Sequence, residues 1–247
     1  MNVRFADCRY DLTEPPRAHE RYLEAHIPGA ASVDLDTDLS DLSIPAEVAG
    51  RHPLPGAEQF AASMARAGIG DETLVVAYDE AMTGGAARLW WLLRHFGHEQ
   101  VAVLDGGLQS WLGPLESGEE EFEPAVFTPR ERTGDTAGTD ELLERLGEPG
   151  LLLLDARPAD RFRGEALGHD PVGGHIPGAV NTPSTTGRLI ALPPEALAAD
   201  EVVAYCGSGV MATVALLALH RAGRTDTRLY PGSWSEWSRK GLPAEKG

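Results

Sequence analysis

The sequence predicts an α/β protein of two tandem domains, each a mainly parallel sheet flanked by helices. Three observations carry this. Short apolar runs alternate with helical patterns along the chain, as in strand–helix units. Four segments recur in the same order in the two halves. The length of 247 residues suits two domains of ordinary size.

The recurring segments fix the plan. "FADCRYD" (5–11) is echoed by "LLDARPAD" (153–160), and "AHIPGAASVD" (25–34) by "GHIPGAVNTP" (174–183). "TLVVAYD" (73–79) returns as "EVVAYC" (201–206), and "LDGGLQSW" (104–111) as "YPGSWSEW" (230–237). Four echoes in register indicate duplication. The expected domains are residues 1–123 and 141–247, joined by the Pro-, Thr- and Gly-rich linker 124–140. In the second half "LLLLDA" and "EVVAYC" read as strands, and "GVMATVALLALHRAG" as a helix stopped by Gly223. In the first half "TLVVAYD" and "GGAARLWWLLRHFG" are the equivalents.

Composition narrows the function. Asp and Glu outnumber Lys and Arg by 38 to 21, a net charge of −17. Nucleic acids and anionic membranes require clustered cations, so neither is expected as a partner. The acidic run "GEEEFE" (118–123) reads as solvated surface. No apolar run reaches the ~18 residues of a membrane span, and "MNVRFADCRYD" lacks a signal-peptide core, so the expected location is cytoplasmic. The two cysteines, Cys8 and Cys206, are expected as free thiols of a reducing compartment. His and Cys spacings form no metal motif, and the paired glycines 84–85 and 106–107 form no dinucleotide loop. No cofactor and no metal are expected.

The chemistry concentrates at "YCGSGVMAT" (205–213). A cysteine here follows a strand and precedes a helix, with Gly207 and Gly209 leaving the backbone able to curl around the sulfur. Inward N–H groups and the positive end of the helix favour thiolate over thiol. In the duplicate, Asp79 occupies the position of Cys206. Cys8 reads as a small buried apolar residue. His26 and His175 occur in both copies of "HIPGA" and read as scaffold, as does the pairing of Asp155 with Arg157. Trp90, Trp91, Trp111, Trp234 and Trp237 read as packing residues, with Trp234, near the "PGSW" turn, a candidate to border the site. Cysteine phosphatase loops carry an Arg six residues after the nucleophile; here that position is Ala212.

These motifs resemble the rhodanese superfamily, specifically its two-domain sulfurtransferases. "DCRYDL", "AHIPGA", "DLDTDLSDL", "RHPLPGAEQF", "DARPADRFRG", "GHIPGAVN", "CGSGV" and "GSWSEW" carry the resemblance over nearly the whole chain. It implies an inactive N-terminal rhodanese-like domain and a catalytic C-terminal one, with the site in the cleft between domains. It also implies Cys206 as the carrier of a persulfide, taking sulfur from a small anionic donor and passing it to a thiol or cyanide acceptor. A thioredoxin-like protein is one acceptor of that kind. Loop residues Gly207, Gly209, Val210 and Met211 would line the substrate site.

"CGSGV" is similar to the 3-mercaptopyruvate branch, whereas thiosulfate rhodaneses commonly carry basic residues after the cysteine. The branch implies a proton relay of Ser208, His52 and Asp36, and a substrate-binding arginine at Arg161. The chain departs from it in "GEALGHDPVG" (164–173), which lacks the second arginine found there in the branch; Arg163 and His169 are the neighbouring candidates to replace it. The alternatives are a thiosulfate:cyanide sulfurtransferase and, from another class, a non-catalytic persulfide carrier or binding module. The complete "CGSGV" loop favours an enzyme, and the missing arginine favours the carrier.

Overall fold

The structure is a computed structural model describing residues 2–184 and 190–247. In chain order its elements begin β1 (Asn2–Asp7), α1 (Pro16–Glu24), β2 (Ala31–Ser32), α2 (Ala46–Ala49) and α3 (Ala57–Arg66). Then come β3 (Thr73–Tyr78), α4 (Gly85–His95) and β4 (Val101–Val103). The second half supplies α5 (Thr139–Glu144), β5 (Leu151–Asp155), α6 (Ala159–Phe162), β6 (Val180–Asn181) and α7 (Pro194–Ala198). It ends with β7 (Glu201–Tyr205), α8 (Ala212–Arg221), β8 (Arg228–Leu229) and α9 (Ser233–Arg239).

The chain forms two compact units. The first holds a four-stranded sheet in the order β2-β1-β3-β4, the second one in the order β6-β5-β7-β8, and every pairing is parallel. The register repeats as well: Asp7 stands opposite Tyr78, and Asp155 opposite Tyr205. Parallel strands buried on both faces need continuous apolar runs, which "TLVVAY" and "EVVAY" supply. The second core gathers Leu142, Leu153, Ile176, Val203, Trp234 and Trp237.

Two stretches depart from the expected domain limits. Within the linker 124–140, residues up to Arg132 belong to the first unit. Phe127 is buried edge-on against Phe60, and the Ala125 N–H donates to the Ala65 carbonyl. Proline and threonine remove helical periodicity without preventing an extended chain from packing. Thr139 already starts α5. The second departure is larger: residues 42–53 belong to the second unit. Gly50 sits at φ +81, and a Cβ there would fall 2.4 Å from the Gly232 carbonyl oxygen. The Arg51 N–H then donates to Ser235 Oγ at 3.0 Å. Close backbone approach, which only glycine permits here, ties this segment to the start of α9.

At the carboxyl end of each central strand lies a buried ion pair. Arg157 grips Asp155 through Nε and Nη2, at 3.0 and 2.6 Å from Oδ2, and Nη2 also donates to the Gly174 carbonyl at 2.7 Å. Arg9 repeats this with Asp7 and Ala25. The Ile176 N–H donates to the Tyr205 hydroxyl at 3.1 Å, as Ile27 does to Tyr78 at 3.2 Å. Removing one member of a buried pair leaves an uncompensated charge, at a cost of about 3–5 kcal/mol. We therefore expect Arg157→Ala to lower the stability of the second unit by that amount in urea unfolding. A loss below about 1 kcal/mol, the value of an exposed pair, would contradict the role assigned to it.

Candidate active site

The strand β7 delivers Tyr205 into the core and Cys206 just beyond it, where the chain turns through residues 207–211 into α8. The Cys206 and Gly207 carbonyls accept the N–H groups of Trp234 and Ser235 at 2.9 and 3.0 Å. In a trans peptide N–H and C=O point in opposite directions, so the Gly207 and Ser208 N–H groups face away from α9. Gly209, at φ +80, reverses the chain, as expected of a glycine in this loop. The Val210 carbonyl accepts from the Thr213 N–H and hydroxyl at 3.1 and 2.6 Å, and the Met211 carbonyl from the Val214 N–H. These bonds start α8.

Ser233 holds the cysteine from behind. It is fully buried and adopts φ +53, a left-handed conformation costing a non-glycine residue roughly 1–2 kcal/mol. Its hydroxyl accepts the Cys206 N–H at 3.1 Å and donates to the Tyr230 carbonyl at 2.9 Å. Trp234 is buried behind the loop under the Arg157 guanidinium, 4.6 Å above its ring. Its indole N–H donates to the Val172 carbonyl.

The first unit repeats this geometry with a carboxylate in place of the thiol. The Asp79 carbonyl accepts the Leu108 N–H at 2.8 Å, as Cys206 accepts from Trp234. Asp79 Oδ2 takes the N–H groups of Gly84 at 2.9 Å and Ala86 at 3.3 Å, where α4 begins. The same strand–loop–helix turn thus gathers amides around an anion.

Other side chains converge on the Cys206 loop from the same unit. His52, on the segment 42–53, is buried. Its Nδ1 lies 2.8 Å from Ser208 Oγ. Arg161, from α6, places Nη2 and Nη1 at 3.7 and 3.9 Å from where a Cβ on Gly207 would stand. Arg161 Nη2 donates to Asp170 Oδ2 at 2.7 Å, and the Asp170 side chain is fully buried. Arg51 and Arg239 pair with the other oxygen, Oδ1. Cys206, Gly207, Ser208, Gly209, Val210, Met211, His52 and Arg161 therefore share one unit. Asp36 is carried by the first unit, in the turn after β2, where its N–H donates to Asp34 Oδ1.

The sequence reading passed over Arg51, Asp170 and Ser233. Nothing in the sequence pointed to Arg51; in the structure Gly207 has no left-handed φ, and a Cβ there would lie 2.9 Å from Arg51 Nη2. Of the replacements considered for the absent arginine, Arg163 is exposed and paired with Glu165, and His169 is exposed. Among the described residues the three that cluster in a metal-binding arrangement, His26, Glu116 and Glu120, belong to the first unit.

The model of the rhodanese-like domain family matches residues 2–113 and 138–240. The chain is 43% identical to a Pseudomonas aeruginosa protein provisionally named 3-mercaptopyruvate sulfurtransferase, over 94% of this chain and 87% of that protein. It is 40% identical to SseB of Mycobacterium tuberculosis, provisionally named a thiosulfate sulfurtransferase, over 96% and 88%. The crystal structure of SseA from Escherichia coli, described as a 3-mercaptopyruvate sulfotransferase of rhodanese fold, matches with a TM-score of 0.78 at 33% identity, covering 94% of this chain and 92% of that one.

Both thiols are buried, and they differ in the groups around them. Burial, followed by the charges of Asp7, Asp79 and Asp38, pushes the Cys8 thiol well above its ordinary range. Its thiolate is therefore suppressed at neutral pH. Iodoacetamide at pH 8 is expected to modify Cys206 in the folded protein and to reach Cys8 only after unfolding, as peptide mapping would show. Equal labelling of both in the folded state would refute the contrast. The duplicated fold, the two family matches and the relatives over most of the chain lead to one assignment: the chain belongs to the rhodanese-like family and is an enzyme of its two-domain sulfurtransferase type.

Proposed function

We propose that this enzyme moves a sulfane sulfur from 3-mercaptopyruvate, through a persulfide on Cys206, to a thiol or cyanide acceptor. The observation that carries the choice of donor is the 2.8 Å contact between His52 Nδ1 and Ser208 Oγ, two residues after the nucleophile. A thiol donor has a proton to lose, and a hydroxyl backed by an imidazole can take it. Thiosulfate has none.

In the first step the Cys206 thiolate attacks the donor sulfur. The S–S bond forms as the C–S bond breaks, and its electron pair leaves with the pyruvate enolate. The donor's thiol proton passes through Ser208 and His52 and goes to the enolate carbon, releasing pyruvate and leaving Cys206 as an anionic persulfide. Amides of the 207–211 turn stabilise that charge, as those around Asp79 do its carboxylate. In the second step the acceptor attacks the outer sulfur and the Cys206 thiolate departs. No redox partner and no cofactor enter this scheme. Arg161 holds the donor's anionic end. Asp36 enters on the resemblance alone, as the group fixing the His52 tautomer.

The competing reading is thiosulfate as donor, favoured by the absence of an arginine in 164–173 and in keeping with the name given to the Mycobacterium tuberculosis relative. Two experiments bear on these readings. Cys206→Ser is expected to abolish transfer while Cys8→Ser preserves it, and the wild type should gain one sulfur mapped to Cys206 by mass spectrometry. Sulfur found on Cys8 alone would overturn the assignment. Ser208→Ala and His52→Ala should each slow transfer from 3-mercaptopyruvate by about 10²–10⁴-fold, the range of a general acid–base contribution. Transfer from thiosulfate should fall much less, and the double variant should be little worse than either single one. Equal losses with both donors, with thiosulfate the better substrate, would make thiosulfate the donor.

A further inference from the structure

An α-keto carboxylate presents two oxygens beside its carbonyl, and a second guanidinium would double the grip of Arg161. The segment 164–173 supplies none, yet another cation lies at the required place. Arg51 Nη2 is 2.9 Å from the position a Cβ on Gly207 would take, with Arg161 Nη2 and Nη1 at 3.7 and 3.9 Å from the same point. Both guanidiniums thus border the residue that directly follows Cys206. We propose that Arg51 is the second donor-binding arginine, forming with Arg161 a clamp for the carboxylate of the sulfur donor. This deepens the sulfurtransferase reading above and rests on it.

The geometry of Asp170 makes the clamp a fixed one. Its buried carboxylate takes Arg51 Nη1 on Oδ1 and Arg161 Nη2 on Oδ2. Arg51 therefore keeps Nη2, and Arg161 keeps Nη1, on the side of the loop. Arg239 also reaches Oδ1, at 3.5 Å, so three guanidiniums share one carboxylate and positive charge remains in excess. The backbone of Arg51 is fixed at both ends of the residue's reach, by Ser235 Oγ on its N–H and by the approach of Gly50 to Gly232. The Arg51 and Arg161 side chains remain 20% and 19% exposed, so a small anion can reach both. Glycine at 207 leaves the Arg51 guanidinium its place, since a Cβ there would lie 2.9 Å from Nη2.

The test combines turnover with a probe independent of sulfur transfer. In Arg51→Ala the KM for 3-mercaptopyruvate should rise roughly 10- to 150-fold, the loss of one charge-assisted bond, with kcat little changed. Arg51→Lys should recover only part, since an ammonium lacks the planar fork. The second probe is the rate at which Cys206 is alkylated by iodoacetate relative to uncharged iodoacetamide. Wild type should prefer the carboxylate reagent, and Arg51→Ala should lose about 10-fold or more of that preference while its iodoacetamide rate holds. An unchanged KM together with an unchanged alkylation ratio would overturn the proposal and leave the donor reading intact. Equal loss with both reagents would also overturn it, reducing Arg51 to a support for Asp170. If wild type fails to use 3-mercaptopyruvate but the ratio falls in Arg51→Ala, the donor reading fails and the anion clamp stands.

Discussion

The buried pair Asp155–Arg157 fixes the ground on which the candidate site stands. Two ions with side chains only 0% and 3% exposed are costly to desolvate, and such a pair is sustained only where its remaining donors and acceptors are also met. Here they are. Arg157 reaches the Gly174 carbonyl and lies over the Trp234 ring, and Asp155 accepts the Arg157 backbone N–H at 2.9 Å. Tyr205, opposite Asp155 in the sheet, takes the Ile176 N–H on its hydroxyl, and burial, aided by the Asp155 charge, holds that hydroxyl protonated. One cluster therefore joins the ends of β5 and β7, the "HIPGA" turn and α9. Cys206 is the next residue after Tyr205, so the proposed nucleophile leaves the sheet from a point held by this cluster.

Duplication lets the protein serve as its own comparison. The first unit has the same pair, the same tyrosine and the same loop length, but a carboxylate where the second has a thiol. Asp79 fills its own loop by accepting two amides, so that turn already holds its anion. Cys206 has no charged oxygen to offer, and its loop can stabilise an anion that arrives or forms on sulfur. The strand-end turns differ in a second, compensating way. Gly107 has a positive φ of +63 in the first unit, and Ser233 one of +53 at the equivalent position in the second. Accepting that strain gives the second unit a hydroxyl on the Cys206 N–H, which glycine could not supply.

The repeated architecture was readable because four pairs of segments recur in order, and a parallel sheet demands apolar runs, such as "TLVVAY" and "EVVAY", at matching places. The Cys206 loop was readable for a related reason: its glycines and its cysteine interrupt an otherwise apolar pattern. Less readable was anything that depends on which unit a segment joins. Residues 42–53 lie within the first half of the sequence, and no periodicity announces that they pack in the second unit. Hence His52 could be matched to a relay only through resemblance, and Arg51 beside it drew no attention. The stretch 124–132 misled for the converse reason, since proline and threonine look like linker while Phe127 packs. Asp170 reads as one more acid among 38 in an acidic chain until three arginines are seen around it.

That last cluster reconciles the acidity of the chain with an anionic substrate. A net charge of −17 acts at long range and is screened within about 8–10 Å at physiological salt. A donor in contact with Arg51 and Arg161 instead responds to groups a few ångströms away, in surroundings that screen far less. Placing a carboxylate among these arginines weakens the raw attraction for the donor, but it also removes the cost of assembling the site. Unpaired guanidiniums on flexible stems would repel one another and lose conformational freedom on binding. Held on the two oxygens of Asp170, Arg51 and Arg161 already present their outer N–H groups beside Gly207. The acid at the centre of the cluster is what makes a pair of cations rigid enough to aim a donor sulfur at Cys206.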